Sequence, residues 1–171
     1  MRLRRPTRGN ATLEFTLVGI PLIFVLISTF EMARGMWIYH TLAYAVKEGA
    51  RYTVVRGQNS PNKVPLSTIC NFIVQQGPGL VPNNLNLTFT SFSGTVGPYT
   101  AGGAVQAGNS SCPGTGVWPP NGVDNQPGQL ITIIATYPFQ STIILFWPGV
   151  KSGPQFPTFT FPAQASEAMQ F

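Results

Sequence analysis

Gly9-Asn10-Ala11-Thr12-Leu13-Glu14-Phe15 is the stretch that decides how this 171-residue chain is read. Arg2, Arg4, Arg5 and Arg8 precede Gly9 with no acid among them, and Phe15 to Phe30 follows with no charge at all. A spanning helix needs roughly 20 mostly apolar residues. Adding Ala11 to Leu13 and the turn around Met32 and Ala33 reaches that length, which predicts a membrane span over about residues 11–33. The four leader arginines put the N-terminus on the cytoplasmic side by the positive-inside bias. A cleaved secretory signal is the competing reading of a basic start and an apolar run. It lacks a small-x-small cleavage site, since Ser28-Thr-Phe-Glu-Met-Ala33 is a poor match.

The charge distribution narrows the function classes. The formal net charge is +5, yet beyond Arg56 only Lys63, Asp124, Lys151 and Glu167 are charged and they cancel. The long C-terminal part therefore offers no electrostatic footprint for phosphates, and nucleic acid is excluded as a partner. Charged residues are 9% of the chain, against roughly 25% in ordinary soluble domains. Neutral polar side chains make the surface, as suits a protein outside the cytoplasm that packs against copies or relatives of itself. His40 is the single histidine and has no second His or Cys at ligand spacing. No metal site, no cofactor motif and no paired-carboxylate arrangement is present. The reading is of a protein that is not an enzyme.

Beyond the span, helical spacing continues from Met32 to Arg56. Met32, Met36, Tyr39, Ala43, Val46 and Ala50 recur at steps of 4, 3, 4, 3 and 4 and predict a one-sided apolar seam. Own-domain packing is expected for its Tyr39 to Ala50 part. Pro21, with Gly19 just before it, is expected to loosen the helical ladder, because proline lacks the N–H and crowds the preceding turn. Pro65 to Ile73 has i, i+3, i+4, i+7 spacing and predicts a short helix ending near Gly77-Pro78. Leu85, Leu87 and Phe89 alternate with polar residues, as in a half-buried strand. Leu130 to Tyr137 is more uniformly apolar and predicts a central strand, and Phe159 to Ala165 alternates as a last strand. The run Ile143 to Trp147 is expected to pack on the sheet, with contact to the membrane surface as the alternative. Residues 93–129 are rich in Gly, Pro, Ser and Asn and predict a long loop, functional or flexible. Cys70 and Cys112 are the only cysteines; in an oxidising exterior they are candidates for a disulfide joining loop to helix, and separate thiols are the alternative.

In order along the chain, Gly9, Glu14-Phe15, Pro21, Phe30-Glu31-Met-Ala-Arg34 and Ala45-Val-Lys-Glu-Gly-Ala-Arg-Tyr52 resemble the type IV prepilins. Within them they are most similar to the TadE-like pseudopilins of the Tad (tight adherence, Flp) pilus system. Thr136-Tyr-Pro-Phe139 and the ending Ala163 to Phe171 look similar too. The resemblance implies a leader, residues 1–9, removed by a prepilin peptidase between Gly9 and Asn10, with Glu14 and Phe15 completing the processing signal. It also implies subunit docking through Glu14 and a local unwinding at Pro21. The fold it implies is α+β and pilin-like. A spine helix over 10–57, its first half in the membrane, packs on a small antiparallel sheet within an extracytoplasmic domain, 58–171. Other pilins, the Tad assembly machinery and membrane lipid are the implied partners. The implied place is the bacterial cytoplasmic membrane, single-pass, with access to an extracellular pilus. An uncleaved membrane-anchored adhesin or binding module is the rival function.

Overall fold

A computed structural model describes residues 8–102, 110–120, 122–141 and 158–170. The leader up to residue 7 and the run Ile143 to Trp147 lie outside the described residues. One helix dominates: α1 spans Arg8–Val54, 47 residues, about 70 Å at 1.5 Å per residue. It runs through Pro21 without a break. The missing N–H there leaves the Leu17 carbonyl without its intrahelical backbone donor.

The rest is α+β, as expected. A second helix, α2 (Leu66–Gln76), and a short 3₁₀ turn (Pro82–Asn84) lead into strand β1 (Asn86–Ser91). Strands β2 (Gly94–Thr100), β3 (Ser110–Ser111), β4 (Leu130–Gln140) and β5 (Thr158–Ala168) complete one sheet in the order β3-β2-β1-β4-β5. Neighbours are antiparallel except the β2–β3 edge, where Tyr99 and Thr100 pair in parallel with Ser110 and Ser111. The sheet is therefore mixed rather than purely antiparallel.

Two differences from the sequence reading have physical causes. β2 lies within the stretch expected to be loop. Its Gly97-Pro98 pair falls at a bulge, where Leu87 faces Tyr99 but Phe89 faces Val96, leaving one extra residue on β2. Proline is tolerated in strands at such bulges. Gly97 has φ 108°, and a Cβ there would come within 2.8 Å of the Leu87 carbonyl, so glycine is required.

The second difference is the face α1 turns to the domain. Gly35, Leu42, Ala45, Val46, Gly49, Ala50, Thr53 and Val54 are buried. Val46 and Ala50 are in the core as expected, whereas Ala43 is half-buried and Met32, Met36 and Tyr39 are exposed. At Gly35, Leu42, Ala45 and Gly49 the contact stripe lies one residue before the seam residues Met36, Ala43, Val46 and Ala50, because the helix approaches its neighbours along small residues. A Cβ on Gly49 would collide with the Ile73 side chain of α2. Glycine carries no hydropathy signal, so the closest contact is silent in the pattern.

The core joins that stripe to Ile69, Cys70 and Ile73 of α2 and to Leu87, Phe89, Ile131, Ile133 and Ala135 of the sheet. Phe89 packs edge-on to Trp118, ring centroids 5.2 Å apart. β4 alternates buried and half-buried residues along its length, so it lies inside the sheet with one face on the core.

The glycine-rich connection after β3 is held at four places. Cys112 is bonded to Cys70, with Cα atoms 6.6 Å apart. The first amides of α2 have no side-chain cap; instead Leu66 N–H donates to Gly116 O (3.3 Å) and Ser67 N–H to Pro113 O (3.0 Å). Asp124 is fully buried and accepts from Ser91 Oγ (3.0 Å), Ser93 N–H (2.9 Å) and Ser93 Oγ (2.6 Å). Asn125, also fully buried, accepts from Gln58 N–H at 2.8 Å and donates to Pro119 O at 3.0 Å. Its described part is anchored rather than free.

Candidate assembly surface

From Thr12 to Phe30, no residue of α1 belongs to the core of the described residues. Every side chain there is exposed except Gly19 and Ser28, which are intermediate. Twelve large apolar residues, from Leu13 to Phe30, are exposed on this stretch. The consecutive run Leu22 to Ile27 shows that the apolar surface encircles the helix, as in a membrane span rather than a surface helix. Arg8 to Phe30 covers about 35 Å, enough for a hydrocarbon layer of about 30 Å. Among the described helices, α1 is the one long and apolar enough to cross a membrane.

Three hydroxyls of this half are satisfied within the helix. Thr16, Ser28 and Thr29 donate their hydroxyls to the carbonyls of Thr12, Phe24 and Val25, at 3.1, 2.7 and 2.8 Å. Such internal pairing is what a medium without water demands. Glu14 is exposed close to the N-terminal end, and Pro21 is exposed near the middle. Gly9 and Asn10 lie in the first turn of α1, so the predicted scissile bond falls on helical backbone.

On insertion scales an acid at mid-membrane costs roughly 2.5–3.5 kcal/mol, and less near the interface. Twelve Leu, Ile, Val and Phe side chains at about 0.5 kcal/mol each contribute roughly 6 kcal/mol in favour. The apolar surface wins, and Glu14 does not prevent insertion.

Where α1 meets the domain, a polar clamp fixes the angle between them. Glu31 accepts from Arg34 Nη2 (3.1 Å) and from Ser141 Oγ (3.2 Å), and Arg34 Nη2 donates to the Gln140 carbonyl (2.7 Å). The Arg34 guanidinium lies 4.6 Å from the centre of the Phe139 ring. Glu and Arg three residues apart on a helix are a readable pair. The reach to Ser141, 110 residues away, is not readable from spacing.

Beside the clamp is an apolar groove of about 460 Å³, with Met32, Gly35, Met36 and Tyr39 on one side and Phe139, Phe159 and Phe161 on the other. Phe161 touches Phe139 (5.3 Å between centroids) and Tyr39 (6.1 Å). His40 stands at its rim, 5.8 Å from the Tyr39 ring. Among the described residues, no three His, Cys, Asp or Glu side chains gather as a metal site would require.

Residues 9–51 match the family model described as TadE-like protein, 43 of the 171 residues. The matched segment is the exposed half of α1 together with most of its domain-facing half. Over that segment the chain is similar to TadE-like proteins. No curated protein and no solved structure matches the chain.

Proposed function

We propose that this protein is a minor pilin, or pseudopilin, of a Tad-type pilus, acting structurally in pilus assembly and bacterial adhesion. The observation that carries the proposal is the uniformly exposed apolar half of α1, standing on a domain whose own core is complete without it. A surface of that kind needs lipid or other helices to cover it. The TadE-like match over the same helix favours both in turn, bilayer first and subunit packing later. On this reading the N-terminus is cytoplasmic and the sheet domain is outside. A prepilin peptidase cuts between Gly9 and Asn10, and Glu14 then lies one helical turn from the new amine. That carboxylate suits pairing with the amine, its own or a neighbour's, when the apolar halves pack together. Removing the leader takes away four arginines, changing the formal count from +5 to +1.

The test is mass spectrometry of the mature chain purified from a host carrying the peptidase. The expected first residue is Asn10. A chain beginning at Met1 points to the uncleaved anchored adhesin, and one beginning after residue 30 to a secretory signal; either refutes pilin-like processing.

A further inference from the structure

The two bonded cysteines differ in a way that the assembly reading above does not use. Cys70 is fully buried among Leu66, Ile69 and Ile73 of α2, whereas Cys112 is half-buried. Cys112 lines a recess of about 320 Å³ with Ser67, Asn71, Ala101, Gly102 and Ser111. The backbone on either side of Cys112 is fixed by contacts that involve no sulfur. Ser110 and Ser111 pair with Tyr99 and Thr100 of β2. Pro113 and Gly116 accept from the first amides of α2, and Val117 forms an antiparallel bridge with Pro65. Trp118, buried against Phe89, ends the segment.

We infer that the disulfide closes on the already folded domain, and that Cys112 is the sulfur that meets the oxidant. The oxidant is of the disulfide class, a small disulfide or a protein that carries one. An external disulfide exchanges only with a sulfur that it reaches. Cys70 has no exposed surface in the folded domain, and Cys112 has some together with the space of the recess beside it. The Cys112 thiolate attacks one sulfur of the oxidant, which forms a mixed disulfide and releases one thiolate. Cys70 then gives up its proton and attacks Cys112 Sγ, which forms the Cys70–Cys112 bond and releases the second thiolate. Two protein thiols are oxidised, the oxidant's disulfide is reduced to two thiols, and the two protons from the cysteines end on them. The Cα atoms of the pair are 6.6 Å apart, within the span a disulfide bridges, and the contacts around Cys112 hold them there while the bond is open. Reduction retraces the path, so an external thiolate also enters at Cys112. The order of events rests on the fold alone. Where the oxidant is met rests on the exterior placement proposed above.

The test uses the full chain in detergent micelles, unfolded in denaturant and reduced by a phosphine that is then removed. On dilution into oxidised glutathione, near-ultraviolet circular dichroism should return at a rate independent of the glutathione concentration. The Cys70–Cys112 bond should follow at a rate proportional to it. A tertiary signal that waits for the bond overturns the inference. A pulse of N-ethylmaleimide on the refolded, still reduced wild type should modify Cys112 roughly tenfold or more faster than Cys70. Equal rates, or faster modification of Cys70, overturn it without recourse to any variant. Cys70→Ala should accumulate glutathione on Cys112 in the folded state, whereas Cys112→Ala should take up glutathione on Cys70 only when denaturant is added. An adduct on Cys70 in folded Cys112→Ala also overturns the inference. Alkylation of intact cells before extraction reports on the placement separately: both cysteines found as free thiols would refute the exterior location, not the order measured in micelles.

Discussion

Reducing the Cys70–Cys112 bond should destabilise the domain by about 4 kcal/mol without unfolding it. The two cysteines are 42 residues apart in sequence, and the chain-entropy relation for a closed loop of that length gives ~4 kcal/mol at 25 °C. The native state should barely rearrange on reduction, because other contacts hold the same connection. Ser67 N–H still bonds Pro113 O, Leu66 N–H still bonds Gly116 O, and the Asp124 and Asn125 side chains keep their partners. The loss therefore falls on the unfolded state, which gains the freedom of the opened loop. For a domain of about 115 residues, 4 kcal/mol corresponds to a fall in Tm of roughly 15 °C. Differential scanning calorimetry of the full chain in detergent micelles, with and without a phosphine reductant, measures it. Cys112→Ser is the control whose Tm the reductant should not move. A fall under about 4 °C would refute the entropic account. Loss of any cooperative transition would refute the claim that the remaining anchors suffice.

Glu14→Ala should leave membrane insertion intact, since the apolar residues around it outweigh the acid it replaces, but should impair assembly. Fractionation together with counting of pili on the cells checks both halves, and normal piliation would argue against docking through Glu14. Asp124→Ala should destabilise the domain by roughly 2–3 kcal/mol by leaving the Ser91 and Ser93 donors without their acceptor. Asp124→Asn keeps one carbonyl oxygen in place and should cost less; denaturant midpoints of the two variants give the order, and equal losses would refute the hydrogen-bond explanation.

The elements legible in the sequence are those held by local periodicity. α2, β1, β4 and β5 fall where the spacing of Ile69 and Ile73, Leu87 and Phe89, Ile131 and Ile133, and Phe159 and Phe161 puts them. The exposed half of α1 was legible for the same reason, since its apolar residues run on without a polar face. What escaped depends on partners distant in the chain. β2 looked like loop because Gly97 and Pro98 are the residues a bulge needs, and the composition of a bulge is that of a turn. The face of α1 was misjudged because Gly49 makes the closest contact by having no side chain. Asp124 was visible only as a rare acid in a neutral domain; that it is buried and receives three hydrogen bonds from the β1–β2 hairpin required the fold. At the candidate surface, Gly9, Glu14, Phe15 and Pro21 came from sequence alone. The clamp from Glu31 to Ser141 and the groove lined by Phe139 and Phe161 came from the sheet closing onto the helix.

Phe30 to Arg34 is where α1 exchanges one environment for another, and the clamp sits there for a mechanical reason. Below it the helix is apolar on every side and its rotation about its own axis is set by whatever surrounds it. Above it the stripe from Gly35 to Val54 fixes that rotation against α2 and the sheet. A continuous helix cannot satisfy both independently: turning the span turns the domain. Arg34 and Glu31 tie the end of β4 to the first turn beyond the span, so bending at this junction would break the bonds to Gln140 and Ser141 together. Pro21 is the one position in the span where the backbone ladder already lacks a hydrogen bond, so it offers the least resistance to bending. Rearrangement of the exposed half should then concentrate at Pro21 and leave the groove, the clamp and the domain moving as one unit.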